Sequence, residues 1–272
     1  LKPPHIDFLK DFLEEKYLAY NNPSFIETDP IAIPRSLTEK KDIEIAAFMT
    51  ATIAWGNRKS ILKDSWHLLQ LMDNHPYSFL LGASENEMKQ FSLFVHRTFN
   101  GTDCRFFLES LRNIYRNHGG LETQFQKINL IGVKESIMAF RDTFLELPHQ
   151  KHVEKHLSDP SKGSPAKRIN LFLRWMIRKD NHGVDFGLWK MVNSSNLICP
   201  LDVHVSRVAR KLGLLERKSN DWEAACELTA NLRKFDSSDP VKYDFALFGL
   251  GVFEKFQKTN IRTRIIPRSF SV

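Results

Sequence analysis

Apolar side chains recur at three- and four-residue intervals along most of the chain, while the alternation expected of strands is hardly visible. Such spacing sets one helix face against a core and leaves the other to water, so the chain is predicted to be all-α. Helices are expected over 6–20, 39–54, 59–71, 76–81, 85–91, 103–117, 121–126, 133–144, 166–179, 203–211, 221–234 and 240–250. Glycine and proline, 12 of each, collect where the periodicity fails. Pro23, Pro30 and Pro34 mark 21–35 as a loop, and Pro160, Gly163, Pro165 and three serines mark 158–165 as another. No repeat occurs at the usual solenoid periods.

Composition narrows the class. With 272 residues, 42% hydrophobic and 26% charged, the chain can bury a real core as one domain or two coupled lobes. The longest apolar runs, such as 45–55, fall far short of the roughly 20 residues of a membrane span. Nothing at the start reads as a signal peptide, so a soluble, cytoplasmic protein is expected. Cys104, Cys199 and Cys226 lie too far apart for a disulfide framework, a CxxC zinc site or a four-cysteine iron-sulfur pattern. Lys and Arg number 39 against 32 Asp and Glu, a net charge of +7 that suits a polyanionic partner without requiring one.

Chemistry concentrates in 158–215. The loop Gly163-Ser164-Pro165-Ala166 feeds a helix in which Ile169, Phe172, Leu173 and Met176 form the inward stripe. Lys167 falls off that stripe, in the first turn, where the helix dipole disfavours an ammonium and favours the nucleophilic amine. Most lysines are simply solvated, so Lys167 needs a partner to stand out. That partner is Asp202, 35 positions later, ahead of a helix whose inner face is Val205, Val208, Ala209 and Leu212 and whose stop is Gly213. Asp at a helix start is most often an N-cap. Capping also keeps a carboxylate ionised, able to face a cation that develops during reaction.

This pair resembles that of the helix-hairpin-helix superfamily of DNA glycosylases. Gly163, Lys167 and Asn170 match its Gly-x-x-x-Lys-x-x-Asn pattern, and Leu201, Asp202, His204, Arg207 and Val208 match its Val/Leu-Asp-x-His-x-x-Arg-Val segment. The chain is most similar to an uncharacterised bacterial branch and more loosely to the archaeal 8-oxoguanine glycosylases. Pro165 replaces the second hairpin glycine and removes an N–H donor. The stretch 178–196 lengthens the Lys-to-Asp interval, as in the archaeal branch, and the C-terminal iron-sulfur cysteines of endonuclease III-like members are missing.

The resemblance implies two helical lobes with a cleft between them. A barrel of helices over 40–176 ends in the hairpin helix, 1–39 with 177–255 form the second lobe, and 256–272 are a basic tail. It implies a nucleoid-associated base-excision glycosylase with AP-lyase activity, acting without cofactor or metal on duplex DNA with a damaged base or abasic site; the oligomeric state is left unassigned, with a monomer favoured. The archaeal analogy points to 8-oxoguanine as a candidate lesion.

Lys167 would be the nucleophile and Asp202 the stabiliser of the sugar cation. Trp55 is a candidate wedge, although a large aromatic at a helix end is more often core. Asn57, Arg58, Lys59, Lys162, Gly163, Ser164, Arg168, Asn170, His204 and Arg207 are candidate DNA contacts, and Trp175, Phe186 and Trp189 candidate base-stacking residues, with Trp175 also a core candidate. His149, His152 and His156 lack a ligand set for zinc and read, beside Lys151, Lys155 and Lys162, as a phosphate-facing surface. Asp239-Pro240 reads as a helix start and Asp244 as a helix-surface acid without a role. The rival readings are a hairpin DNA-binding protein without chemistry and a basic helical adaptor.

Overall fold

The computed structural model describes residues 3–254 and 256, with the exception of 180. The basic tail expected at 256–272 therefore lies, beyond Phe256, outside the described residues. Fifteen α-helices make the described chain all-α: α1 Pro3–Tyr20, α2 Pro23–Ile26, α3 Ala32–Arg35, α4 Lys40–Thr52, α5 Arg58–Leu71, α6 Pro76–Gly82, α7 Glu85–Lys89, α8 Gly101–Asn117, α9 Leu121–Phe125, α10 Ile128–Ile131, α11 Val133–Phe144, α12 Lys167–Ile177, α13 Val203–Lys211, α14 Trp222–Arg233 and α15 Tyr243–Val252. None of the described helices is long and apolar enough to cross a membrane.

Two differences from the sequence reading shape the site. The expected loop at 21–35 contains α2 and α3. Pro23 opens α2 behind the Asn22 cap, and Pro34 lies within the single turn of α3, where a missing N–H costs little because first-turn donors have no intrahelical partner. The helix expected from 240 begins as a 3-10 turn, Pro240–Lys242, before α15. In addition, α10 forms where no helix was expected.

Helix α4 is buried along nearly its whole length and packs against α3, α6 and α12. Its Phe48 ring meets Phe107, Phe140, Phe144 and Phe172 at centroid distances of 5.5–6.3 Å. Burying each such ring contributes about 1.5–3 kcal/mol. Helix α1 lies along α15, and α13 also packs on α15. The stripe of Ile169, Phe172, Leu173 and Met176 is buried as expected, which leaves Lys167 directed away from the core at the start of α12.

The turn before α12 is unusual. Gly163 has φ +83°, a left-handed conformation suited to glycine, but Ala166 is also left-handed at φ +48°. Ser164 Oγ accepts from the Ala166 N–H at 3.2 Å, and Asn170 Nδ2 donates to the Pro165 carbonyl at 3.2 Å. These bonds hold a strained alanine, at a cost of order 1 kcal/mol, immediately before Lys167.

Candidate functional site

A cavity of about 750 Å³ lies where the first turns of α12 and α13 meet the 54–58 loop, the 25–30 segment and α15. Lys167 and Asp202, far apart in sequence, both line it. Lys167 is half-buried, and its Nζ donates to the Ala54 carbonyl at 3.3 Å. Asp202 is the N-cap of α13: Oδ1 accepts from the N–H groups of His204 at 2.8 Å and Val205 at 2.9 Å. Both bonds use Oδ1, so the second oxygen is not spent on the helix.

Two further carboxylates line the same cavity, and sequence reading assigned a role to neither. Asp244 is buried rather than a surface acid, and its carboxylate accepts from Arg174 Nη1. Burial pushes its carboxyl up to about 6; the Arg174 charge opposes that and the negative charge of Asp202 adds to it. Asp29 is buried too. Its Oδ1 accepts from the Ile31 N–H at 3.0 Å and its Oδ2 pairs with Arg58 Nη2 at 3.2 Å. Burial raises this carboxyl above its ordinary range, and the Arg58 cation works against that rise. The signal for Asp244 was present in the sequence: α15 is apolar on every side, so an acid within it is a buried acid. Asp29 carried no such signal, because a proline-marked segment has no readable face.

Beneath the floor, Arg174 also pairs with Asp185 at 3.3 Å, and Arg178 with Asp185 at 2.9 Å and Asp239 at 2.8 Å. The stretch that lengthens the Lys-to-Asp interval thus supplies buried charges that support the cavity. Cys199 Sγ lies 4.0 Å from Asp244, and burial pushes its thiol well up.

The remaining candidates divide. Lys59, Lys162, Gly163, His204 and Arg207 are exposed, with Lys162 Nζ 3.4 Å from Asp159; Ser164 is half-buried and held in the turn. Asn57 caps α5, its Oδ1 accepting from the N–H groups of Lys59 and Ser60. Three of the expected DNA contacts are bonded to other parts of the protein. Asn170 is buried and closes the turn before α12. Arg168 donates to the Thr52 carbonyl at 2.7 Å, and burial pushes its guanidinium down to about 10. Arg58 is tied to Asp29 and to the Thr28 carbonyl.

Trp55 lines the cavity as a half-buried wall. Its ring stacks on His156 at 6.0 Å, meets His96 edge-on at 5.0 Å and carries the Arg168 guanidinium at 4.9 Å, so packing engages it where a wedge would need freedom.

The proposed base-stacking trio is a correction. Trp175 and Trp189 are fully buried in the core, and Phe186 lies under the Arg35 guanidinium; none lines the cavity. The rings that do are Phe25, Phe245, Phe248 and Trp55. The histidine cluster is no phosphate-facing surface either. His152 and His156 lie on a 3-10 turn, Lys151–His156, with Nε2 atoms 3.1 and 3.2 Å from the two oxygens of buried Asp103, while His149 packs on Phe106. Among the described residues no group of three or more His, Cys, Asp or Glu could hold a metal ion.

A family described as Protein of unknown function (DUF2400) matches residues 29–253. No curated protein and no solved structure matches the chain.

Proposed function

We propose that this chain, which belongs to the DUF2400 family, is a DNA glycosylase with AP-lyase activity that acts on a damaged base swung out of the duplex. One observation carries the reading: Lys167 and Asp202, 35 positions apart, open two helices whose first turns border a single cavity. At about 750 Å³ the cavity falls within the size range of small-molecule sites and has room for a nucleobase and its sugar.

The groups divide the chemistry as follows. As the glycosidic bond breaks, its electron pair leaves with the base and positive charge grows on the sugar, facing the Asp202 carboxylate. The Lys167 amine, its extra proton passed to water, adds its lone pair to C1′. Ring opening places a proton on O4′ and leaves an imine between C1′ and Nζ. Transfer of a C2′ proton to water then forms the C2′–C3′ double bond, breaks the C3′–O bond so that the 3′ phosphate leaves, and cuts the strand. Exposed Lys59, Lys162 and Arg207 would contact phosphates, so affinity for duplex should fall steeply with salt.

The test is borohydride trapping on a duplex containing an abasic site, where hydride reduces the imine to a stable amine. Wild type should form a covalent adduct. Lys167→Gln should reduce it at least about 100-fold while duplex affinity stays within about threefold. An undiminished adduct in that variant would remove Lys167 as the nucleophile. The second reading, a DNA-binding protein without chemistry, draws support from the bond between Lys167 and the Ala54 carbonyl, which occupies the amine. It requires salt-sensitive duplex binding with no adduct from wild type.

A further inference from the structure

The Arg58 guanidinium fills an aromatic box on the cavity wall. Its central carbon lies 5.7 Å from the ring centroids of Phe25, Phe248 and Phe253 alike. The walls stand nearly at right angles: Phe25 and Phe248 meet at 76° and Phe248 and Phe253 at 82°. One side carries the buried Asp29 carboxylate, 3.2 Å from Arg58 Nη2. Phe25, Phe248, Asp29 and Arg58 border the same cavity as Lys167 and Asp202.

We infer that this box is the base subsite, and that it selects a purine carrying a positive charge, such as one alkylated on a ring nitrogen. The inference rests on the glycosylase reading for the identity of its occupant as a DNA base. A guanidinium is a flat, delocalised cation, and it is held here by the two features such a purine would use: ring faces that attract positive charge, and a carboxylate within reach of its N–H edge. A neutral purine displacing Arg58 would gain the stacking but leave the buried Asp29 without its paired cation, with only the charges of Arg174 and Lys167 acting on it, which penalises it. Arg58 is the first residue of α5, between exposed Asn57 and Lys59, so a side-chain rotation toward a DNA phosphate would empty the box and give the guanidinium a new anion. Selection acts at capture, since the ring loses its charge as it leaves with the glycosidic electron pair.

Nucleoside binding to the full chain, followed by calorimetry, tests this directly. At neutral pH, 1-methyladenosine, a cation, should bind about tenfold more tightly than adenosine or 8-oxoguanosine. Asp29→Asn keeps the shape and the acceptor for Ile31 and should erase that preference. Phe248→Leu leaves the Arg58 pair in place, removes one wall and should reduce the preference by a factor of about three. Equal or tighter binding of the neutral nucleosides, or a preference that survives Asp29→Asn, overturns the inference. Trapping on an abasic site involves no base, so an adduct without cation preference rejects this subsite and spares the enzyme. A preference without an adduct rejects the enzyme and leaves a cation-binding box.

Discussion

Two buried aspartates, one lining the cavity and one behind its Trp55 wall, are held by different kinds of partner. Asp244, on the cavity floor, pairs with Arg174, which in turn shares Asp185 with Arg178. Asp103, behind the Trp55 wall, lies between His152 and His156, close to both rings but not aligned with either as a hydrogen bond, and its Oδ2 also accepts from the Asn100 N–H. Arginine keeps its charge at any pH a cell meets, whereas histidine does not. The floor is therefore a charge lattice of fixed cations, and the back of the wall is a contact whose partners can change state. Burial pushes His156 down to about 4, so its ring is neutral where Arg174 is charged. The first arrangement keeps cations beneath the cavity at any such pH, and the second serves as packing support.

The largest effect should come from breaking the arginine side. Arg174→Met leaves Asp244 and Asp185 buried with one cation fewer, and should cost about 3–5 kcal/mol in urea unfolding. A loss below about 1 kcal/mol would show that water reaches these acids and that the lattice is not closed. The same acid makes a pH prediction. The folded carboxyl titrates near 6 against an ordinary 3.8, so the fold retains a proton that the unfolded chain has released. The stability tied to that proton is present below about pH 4 and is lost as pH rises through about 6, by at most roughly 3 kcal/mol. Carbon NMR of the Asp244 carboxyl should show a midpoint near 6; a midpoint near 4 would mean that pairing with Arg174 outweighs burial.

On the histidine side the sign reverses. His156 binds its proton less readily in the fold than in the unfolded chain, so stability falls as pH drops from about 6.5 toward 4. His156→Gln should flatten that acid-side slope and, by loosening the ring under Trp55, lower stability at neutral pH by about 1–2 kcal/mol. A slope unchanged by the substitution would assign the acid sensitivity to other groups.

How much of this was legible in the sequence depended on periodicity. The helices that build the core were readable, and so was the placement of Lys167, because Ile169, Phe172, Leu173 and Met176 define a face and Lys167 is off it. Asp202 was readable as a cap from its place before Val203. The cavity's other half was not. Phe25 and Asp29 come from a segment whose prolines hid two one-turn helices, and Phe248 reaches the cavity only because α15 packs against α1 and α13, a pairing that no local spacing reveals. The base-stacking trio failed for a related reason: Trp175 and Trp189 are large enough to serve as core or site, and only tertiary packing decides between the two. Arg58 and Arg168 looked like free surface cations by type, yet each donates to a backbone carbonyl, Arg168 from a part-buried position and Arg58 at the surface.

The smallest expected effect on stability sharpens the comparison with a third acid. Asp202 has neither an arginine lattice nor a histidine clamp in its cap bonds; two backbone N–H groups on Oδ1 hold it. Asparagine offers the same oxygen to those donors and caps helices as well as aspartate, so Asp202→Asn should change unfolding free energy by less than about 0.5 kcal/mol, whereas Asp202→Ala should cost about 1 kcal/mol. The charge is another matter, because only the carboxylate can face a sugar cation. Base release by Asp202→Asn should therefore slow at least about 100-fold at nearly unchanged stability, while trapping on a preformed abasic site, which skips that step, should fall much less. If Asn and Ala slow base release only in proportion to their loss of stability, Asp202 is a cap alone, and the acid facing the sugar has to be sought at Asp244.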